Sequence, residues 1–339
     1  MKTYLITGAA GFIGSHLAET LLKSGNRVIN IDNFNDFYDV NIKIKNVLSS
    51  VNKSDFLVET PEELKQIVDS ENYKLEVSDI RESSDIEKIF SENKIDMVIN
   101  LAAMAGVRPS LENPVLYSDV NIKGFLNILE LCKKYNIKKF IQASSSSVYG
   151  NNDSVPFKET DSVDFAISPY AATKKAGEII GHVYHSLYNI DMIQLRFFTV
   201  YGPRQRPDLA IHKFTKMISE GKEIPFYGDG TTKRDYTYID DIIDGIVKSI
   251  LFLEKNSSIY EILNLGESQT ISLKTMVTTI EKELGIKAIL KLLPLQPGDV
   301  PITNADISKA KNMINYNPKI EFEKGIAKFI IWYKESKKL

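Results

Sequence analysis

Three glycines spaced three apart close the first apolar run of this chain. No other short stretch limits the possible fold so strongly. Lys2-Thr3-Tyr4-Leu5-Ile6-Thr7 leads into Gly8-Ala9-Ala10-Gly11-Phe12-Ile13-Gly14, after which Phe12, Ile13, Leu17 and Leu21 share a helical face. The pattern predicts strand, tight turn, helix. Gly8 can turn without a side-chain clash, Gly11 admits phosphates against the backbone, and Gly14 lets helix and strand pack closely. The start of the helix offers unsatisfied N–H groups and a partial positive charge, which suits a pyrophosphate. Gly8, Gly11, Phe12, Ile13 and Gly14 are therefore candidate cofactor contacts.

A second apolar run, Arg27-Val28-Ile29-Asn30-Ile31, ends at Asp32, followed by Asn33. Asp32 stands 18 residues past Gly14, close to the spacing of about 20 for a carboxylate that binds an adenosine ribose. An acid there favours NAD, because it would repel the 2′-phosphate of NADP. A flavodoxin-like turn with a solvated aspartate is the plainer alternative.

With 339 residues the chain can bury a large core and divide into two lobes. A formal net charge of −2 argues against a general nucleic-acid or membrane surface. The single cysteine, Cys132, lies in a helical run and forms no internal disulfide, which fits a reducing cytoplasm. The first residues read as a core strand rather than a signal peptide, and no segment is apolar for long enough to cross a bilayer. Four histidines show no metal-like cluster.

Along the chain, Thr60-Pro61-Glu62-Glu63 reads as a capped helix start, with Glu63 completing a capping box. Strands are expected at Tyr73 to Val77, Asp96 to Leu101, Lys139 to Ala143 and Asp191 to Phe198. Asp79 and Ile80 follow the third, at the end of a strand where ligands collect in open parallel sheets, although a capping acid fits Asp79 equally. Leu101-Ala102-Ala103 offers small residues against which a flat cofactor can lie. Pro114 to Tyr135 and Ser168 to Tyr188 read as long amphipathic helices. Alternating strands and helices predict an α/β fold with a doubly wound parallel sheet. Helices near Ile211–Glu220, Asp240–Phe252, Leu273–Leu284 and Lys324–Lys334 form a smaller α/β lobe. The expected division is 1–190, with returning segments near 191–200 and 236–266, as an NAD-binding Rossmann domain; 201–235 and 267–339 then form a substrate domain.

Tyr170 and Lys174 are four apart on one helix face. An ammonium beside a phenol favours the phenolate, which makes Tyr170 a candidate base near neutral pH. By itself the pair also fits a helix surface. Here it follows an NAD-type half-fold and a strand end rich in serine, from which Ser145 can reach the same substrate oxygen.

Together these motifs resemble the extended short-chain dehydrogenase/reductases, specifically the nucleotide-sugar 4-epimerases, over nearly the whole chain. The resemblance takes in the glycine turn, Asp32, Asp79-Ile80, Leu101-Ala102-Ala103, Asn121, Ser144-Ser145-Ser146-Ser147, Tyr170/Lys174 and Arg196-Phe197-Phe198-Thr199-Val200-Tyr201-Gly202-Pro203. It continues through Phe226-Tyr227-Gly228-Asp229-Gly230, Arg234-Asp235-Tyr236 and Gly298-Asp299-Val300. It implies that Phe226 and Tyr227 line a uridine site, Arg234 pairs with a diphosphate and Asp299 binds the uridine ribose. It also implies that Lys174 holds the nicotinamide ribose and that Asn121 supports the site. A second phosphate-binding arginine of some relatives is replaced by Gln296. The implied reaction removes hydride from C4 and the O4 proton to Tyr170, turns the keto sugar over, and reverses both transfers. The implied assembly is a homodimer through the two long helices.

Dehydratase relatives carry Thr-Asp-Glu, and decarboxylases Thr-Ser-Glu, where this chain has Ser145-Ser146-Ser147. Epimerisation needs neither acid. Asp32 disfavours a reductase using free NADPH, and the presence of both Tyr170 and Lys174 disfavours a non-catalytic NAD-binding protein. Phe37-Tyr38-Asp39, Ala105-Gly106-Val107-Arg108, Thr199 and Arg206-Pro207-Asp208 are similar to the UDP-glucuronate 4-epimerase type. A UDP-glucose or UDP-N-acetylhexosamine epimerase is the other expectation. In the first type Ser146, Ser147 and Thr199 would cradle the sugar carboxylate, with Arg206 steering it or serving the surface or phosphate side.

Overall fold

The computed structural model describes residues 1–295 and 300–337. They group into two compact units. The first comprises Met1–Gly150, Ser162–Arg196 and Ile246–Leu263; the second comprises Asn151–Asp161, Phe197–Gly245 and Asn264–Leu339. The strands are β1 (Thr3–Thr7), β2 (Arg27–Asp32), β3 (Tyr73–Val77), β4 (Met97–Asn100), β5 (Lys139–Ser145), β6 (Asp191–Phe197), β7 (Thr199–Tyr201), β8 (Glu223–Tyr227), β9 (Lys233–Tyr238), β10 (Tyr260–Leu265), β11 (Thr270–Ser272) and β12 (Ile289–Leu293).

The central sheet runs β3-β2-β1-β4-β5-β6-β10, and the pairings from β3 to β5 are parallel. Strand order reverses beside β1, the switch point at which such sheets bind ligands beyond their C-terminal ends. Helices cover both faces of a parallel sheet, so its strands are apolar almost throughout. Leu5, Ile29, Val98 and Phe140 are fully buried in the core. The exceptions are informative. Thr7 pairs in register with Asn100 and donates its hydroxyl proton to Asn100 Oδ1 at 2.5 Å. Asn100 Nδ2 in turn donates to Gln142 Oε1 at 2.8 Å. A buried polar ladder thus crosses β1, β4 and β5 near the ends where the glycine turn begins.

Helix boundaries follow local chemistry. Thr60 Oγ1 accepts the Glu63 N–H before the helix Pro61–Val68, although Glu63 reaches back to Glu59 N–H rather than to Thr60. Ser168 Oγ accepts the Ala171 N–H ahead of the helix Pro169–Tyr188. The single helix expected from Pro114 to Tyr135 is three pieces: Pro114–Ser118, a π-helical turn at Asp119–Gly124, and Phe125–Lys134. Periodicity does not reveal the extra residue in that turn. The turn ends in close packing at Gly124, where a Cβ would fall 2.7 Å from Ile80 Cδ1.

The second unit contains strands that the less regular half of the sequence did not disclose. β9 pairs antiparallel with β11 and parallel with β7, while β8 and β12 form a separate parallel pair. Asp235 of β9 is fully buried and is the organising acceptor. It takes N–H bonds from Glu267, Ser268 and Ala305 at 2.8–3.0 Å and a hydroxyl bond from Thr237. Burial lifts the Asp235 carboxyl to about 6 against these bonds. Burial, then Asp241 and Asp235, push Glu267 from an ordinary 4.5 to about 8, and its Oε2 has no hydrogen-bond partner among the described residues.

A group whose folded pKa is raised contributes stability below its unfolded value and loses it as pH rises through the folded one. For Glu267 that window runs from 4.5 to about 8. Glu267→Gln keeps the neutral shape. It should melt with wild type near pH ~4 and above wild type near pH ~9. Thermal scans showing the same difference at both ends would remove this account.

Candidate active site

The first turn is built by close backbone approach. Gly8 has φ +74°, and a Cβ there would lie 2.8 Å from Ala102 N. A Cβ at Gly14 would lie 2.3 Å from Gly8 O. At Gly11 only Gly8 O would be near, at 3.1 Å, so the side toward an incoming phosphate is open. The helix Phe12–Lys23 starts at Gly11 without a side-chain cap, leaving the first-turn N–H groups of Phe12, Ile13 and Gly14 directed at the same place.

Asp32 is buried, and its two oxygens accept Ala10 N–H at 3.1 Å and Phe34 N–H at 2.9 Å. A carboxylate has about four lone-pair sites, so it can still receive two ribose hydroxyls. Burial raises its pKa; Lys43, Phe34 and Ala10 oppose that rise. Lys43 is itself tied to Asn35 through the main-chain oxygen at 2.7 Å and Oδ1 at 3.0 Å. Asn33 Nδ2 donates to Asp79 Oδ2 at 2.8 Å, joining the ends of β2 and β3. Arg81 grips Asp79 with Nε and Nη2. Burial acts to raise the Asp79 pKa, but these bonds hold it at about 2. Asn127 Nδ2 donates to the carbonyls of Ile80 and Arg81, both at 3.0 Å, so the loop is braced from beneath.

Leu101 N–H and Ala102 N–H bond Thr7 O and Thr7 Oγ1, both at 3.2 Å, which sets the exit of β4 beside the glycine turn. Asn121, in the π-helical turn, is buried. Its Oδ1 accepts Met104 N–H at 2.8 Å, and its Nδ2 donates to Met104 O and Thr173 Oγ1 at 3.0 Å. Thr173 Oγ1 donates to Tyr170 O at 2.8 Å. One amide therefore links the loop after β4 to the helix of Tyr170. Lys174 Nζ is buried, donates to Ala143 O at 2.8 Å and lies 5.9 Å from the centre of the Tyr170 ring. Burial pushes its ammonium down to about 8. Ser145 Oγ donates to Ser147 Oγ at 3.2 Å and accepts Ser147 N–H at 3.1 Å, placing Ser145, Ser146 and Ser147 on one short turn after β5.

In the second unit Thr199 opens β7 opposite Tyr236. Arg206 makes a two-pronged pair with Asp208 at 3.0 and 2.6 Å. Phe226 is buried at the end of β8 beside Tyr227, and a Cβ at Gly230 would fall 2.3 Å from its ring. Arg234 Nη1 donates to Lys233 O at 2.9 Å. Gln296, Gly298 and Asp299 lie outside the described residues.

Sequence reasoning missed Tyr117, Thr173 and the pairing of Glu178 with Arg196. Tyr117 sets its ring edge-on to Tyr170 at 6.2 Å and donates to Ala105 O at 3.1 Å. Thr173 is the partner of Asn121. The buried ion pair Glu178–Arg196 left one readable signal: an arginine inside an apolar strand needs an acid. The open cradle over Gly11, the free helix start and the spare acceptor capacity of Asp32 together fit the diphosphate and ribose of NAD.

Comparison with known proteins gives concordant matches. A family model described as GDP-mannose 4,6 dehydratase covers residues 5–329. A UDP-glucuronate 4-epimerase of Thermodesulfobacterium geofontis is 45% identical over 99% of this chain and 97% of its own length. UDP-glucuronate 4-epimerase 4 of Arabidopsis thaliana is 40% identical over 98% of this chain and 75% of its own. The crystal structure of UDP-glucuronic acid 4-epimerase from Bacillus cereus in complex with UDP-glucuronic acid and NAD superposes with a TM-score of 0.86. It is 37% identical and covers 98% of this chain and 99% of its own.

Asn121→Ala would strand the buried Met104 N–H and carbonyl. Each unsatisfied group costs about 1–3 kcal/mol, so calorimetry should show a fall of several degrees in Tm, at roughly 2–4 °C per kcal/mol. An unchanged Tm would mean that Asn121 is no brace.

Proposed function

This chain belongs to the GDP-mannose 4,6 dehydratase family, and within it we propose that the protein is an NAD-dependent epimerase converting UDP-glucuronate into UDP-galacturonate. The observation carrying this reading is the combination at the end of β5. Tyr170 and Lys174 are both present, while the turn of Ser145, Ser146 and Ser147 offers hydroxyls only. Eliminating water calls for an acid on that turn and a base for C5. Inverting C4 calls for neither.

NAD would be held by the glycine turn and Asp32 and, when bound, would supply the hydride acceptor and donor for C4. Tyr170 removes the O4 proton and later returns it. Lys174 holds positive charge beside the ring, which favours the phenolate, and its fixed bond to Ala143 O keeps that charge in place. Ser145 holds the same sugar oxygen in line with Tyr170. Oxidised UDP-glucuronate is a β-keto acid, which loses carbon dioxide when its carboxylate turns out of the safe orientation. Ser146, Ser147 and Thr199 are assigned to hold that carboxylate with neutral donors. Each net hydrogen bond is modest, about 0.5–1.5 kcal/mol, so several must act together. The fork of Arg206 is already engaged by Asp208, which supports neutral hydroxyls as the main grip. In the second unit, Phe226 and Tyr227 are assigned to uridine and Arg234 to the diphosphate, for which a planar, permanent charge is suited.

The assembly proposed is a homodimer in a reducing cytoplasm. On the helix Pro169–Tyr188, Ile179, Val183 and Leu187 recur at one-turn spacing and are 57, 44 and 64% exposed. A second copy of this stripe supplies a matching apolar partner. Among the described residues no helix is long and apolar enough to cross a membrane. Cys132 is buried, and burial pushes its thiol pKa up.

Proton NMR after separate incubation with UDP-glucuronate, UDP-glucose and UDP-N-acetylglucosamine should show C4 inversion fastest for UDP-glucuronate. Tyr170→Phe should lose at least ~10²–10⁴-fold, and Ser147→Ala should lose more on UDP-glucuronate than on UDP-glucose. Wild-type preference for a neutral sugar would move the substrate to UDP-glucose or UDP-N-acetylglucosamine. A fully active Tyr170→Phe would remove the base. Light scattering should give twice 38.3 kDa; a monomer at micromolar concentration would exclude the dimer.

A further inference from the structure

The helix carrying Tyr170 and Lys174 also carries Glu178, four residues beyond Lys174. Its side chain is 1% exposed, as is that of its partner Arg196 on β6. Arg196 Nε and Nη2 donate to the two carboxylate oxygens, each at 2.8 Å. Ser144 Oγ donates to Glu178 Oε1 at 2.7 Å. Tyr260 of β10 donates its hydroxyl proton to the Glu178 main-chain carbonyl. Lys175 Nζ stands 3.7 Å from the carboxylate at the rim. The guanidinium lies 4.8 Å from the centre of the Tyr149 ring, which closes the turn of Ser146 and Ser147.

Three consecutive residues of β5 therefore meet three different needs. Ala143 O holds Lys174, Ser144 holds Glu178, and Ser145 faces the sugar in the reading above. We propose that the Glu178–Arg196 pair, with Ser144, is a positioning device that fixes Tyr170 and Lys174 in register with Ser145. The inference rests on the proposed epimerase reading for its kinetic consequence, but not for its geometry.

A buried ion pair is a poor source of stability, because apolar side chains of the same volume can replace it at little cost. What it supplies here is direction. A planar fork against a carboxylate allows one relative orientation. The Ser144 bond then ties that orientation to β5 rather than to β6 alone. An apolar contact would let the helix slide or roll against the sheet. A shift of less than an ångström would carry Tyr170 out of line with Ser145 and, because Lys174 Nζ is held by Ala143 O of β5, change where the ammonium sits against the Tyr170 ring, while leaving the fold intact. Burial opposes the charge on Arg196, but the Glu178 partner raises its pKa further above its ordinary value, so the guanidinium stays charged across the working range.

The test uses the full-length protein with NAD bound, as wild type, Ser144→Ala and Arg196→Lys, each also made with Tyr170→Phe. Subtracting the ultraviolet titration of the Tyr170→Phe counterpart isolates the Tyr170 phenolate. Arg196→Lys keeps the charge and loses the fork. It should move Tyr170 ionisation up by about one unit, equivalent to about tenfold. On UDP-glucuronate kcat should fall by a similar factor while KM holds. Ser144→Ala removes one neutral bond and should shift both readouts in the same direction by less. If Arg196→Lys fails to fold, Ser144→Ala alone carries the test. An unshifted Tyr170 titration in folded variants, whatever happens to kcat, would overturn the positioning role and leave only a packing one. A shifted titration in a protein whose wild type epimerises no UDP-sugar would uphold the positioning role and reject the epimerase reading.

Discussion

Close backbone approach at the first turn is the constraint on which the first unit depends. β1 sits between β2 and β4, and its exit is crowded from both sides. Gly8 N–H is held by Ile31 O at 2.7 Å on one side, and Ala102 N is too near for a side chain on the other. Gly14 lets the following helix lie against the same carbonyl that turns the chain. With no side chains between them, strand, helix and the exit of β4 converge. Backbone N–H groups are then the nearest donors to whatever lies above, which is what a diphosphate requires.

Around that turn, polar side chains set register where apolar ones set only burial. Thr7, Asn100 and Gln142 link three adjacent strands by side-chain hydrogen bonds within the core. Asn121 does the same between the loop after β4 and the helix of Tyr170. A buried polar group without its partner is costly, so each such bond admits one alignment of its elements and penalises the rest. The chemistry assigned to Tyr170 depends on this. A base four residues from its lysine is common on helices. It becomes useful when the lysine is desolvated and fixed to a carbonyl of the neighbouring strand.

The second unit solves a different problem with the same means. Its strands are short, and Asp235 gathers three backbone N–H groups from two distant segments onto β9. The carboxyl is raised by its own burial, and the neighbouring Glu267 is raised further still. The unit thus keeps several acids close together beside the strand that carries Arg234, and proton uptake relieves the strain among them.

Local sequence was sufficient for the glycine turn, the acid closing β2, the Tyr170–Lys174 spacing and the alternation of strand and helix. Each of these is written in residues within a few turns of one another, and each follows from backbone sterics or from the 3.6 and 2.0 periodicities. The π-helical turn around Asn121 was not legible, because one extra residue in a helix leaves the apolar pattern nearly intact. Nor were the strands of the second unit, which are short and whose partners are remote in sequence. Arg196 could be seen as out of place in an apolar strand, but the acid that answers it could not be named. Ion pairs and polar ladders are chosen by which side chains meet in space, over separations of 18 residues for Glu178 and Arg196 and 93 for Thr7 and Asn100. Only the folded chain decides those meetings, because a buried charge or amide must be satisfied by whichever partner the packing brings within 3 Å.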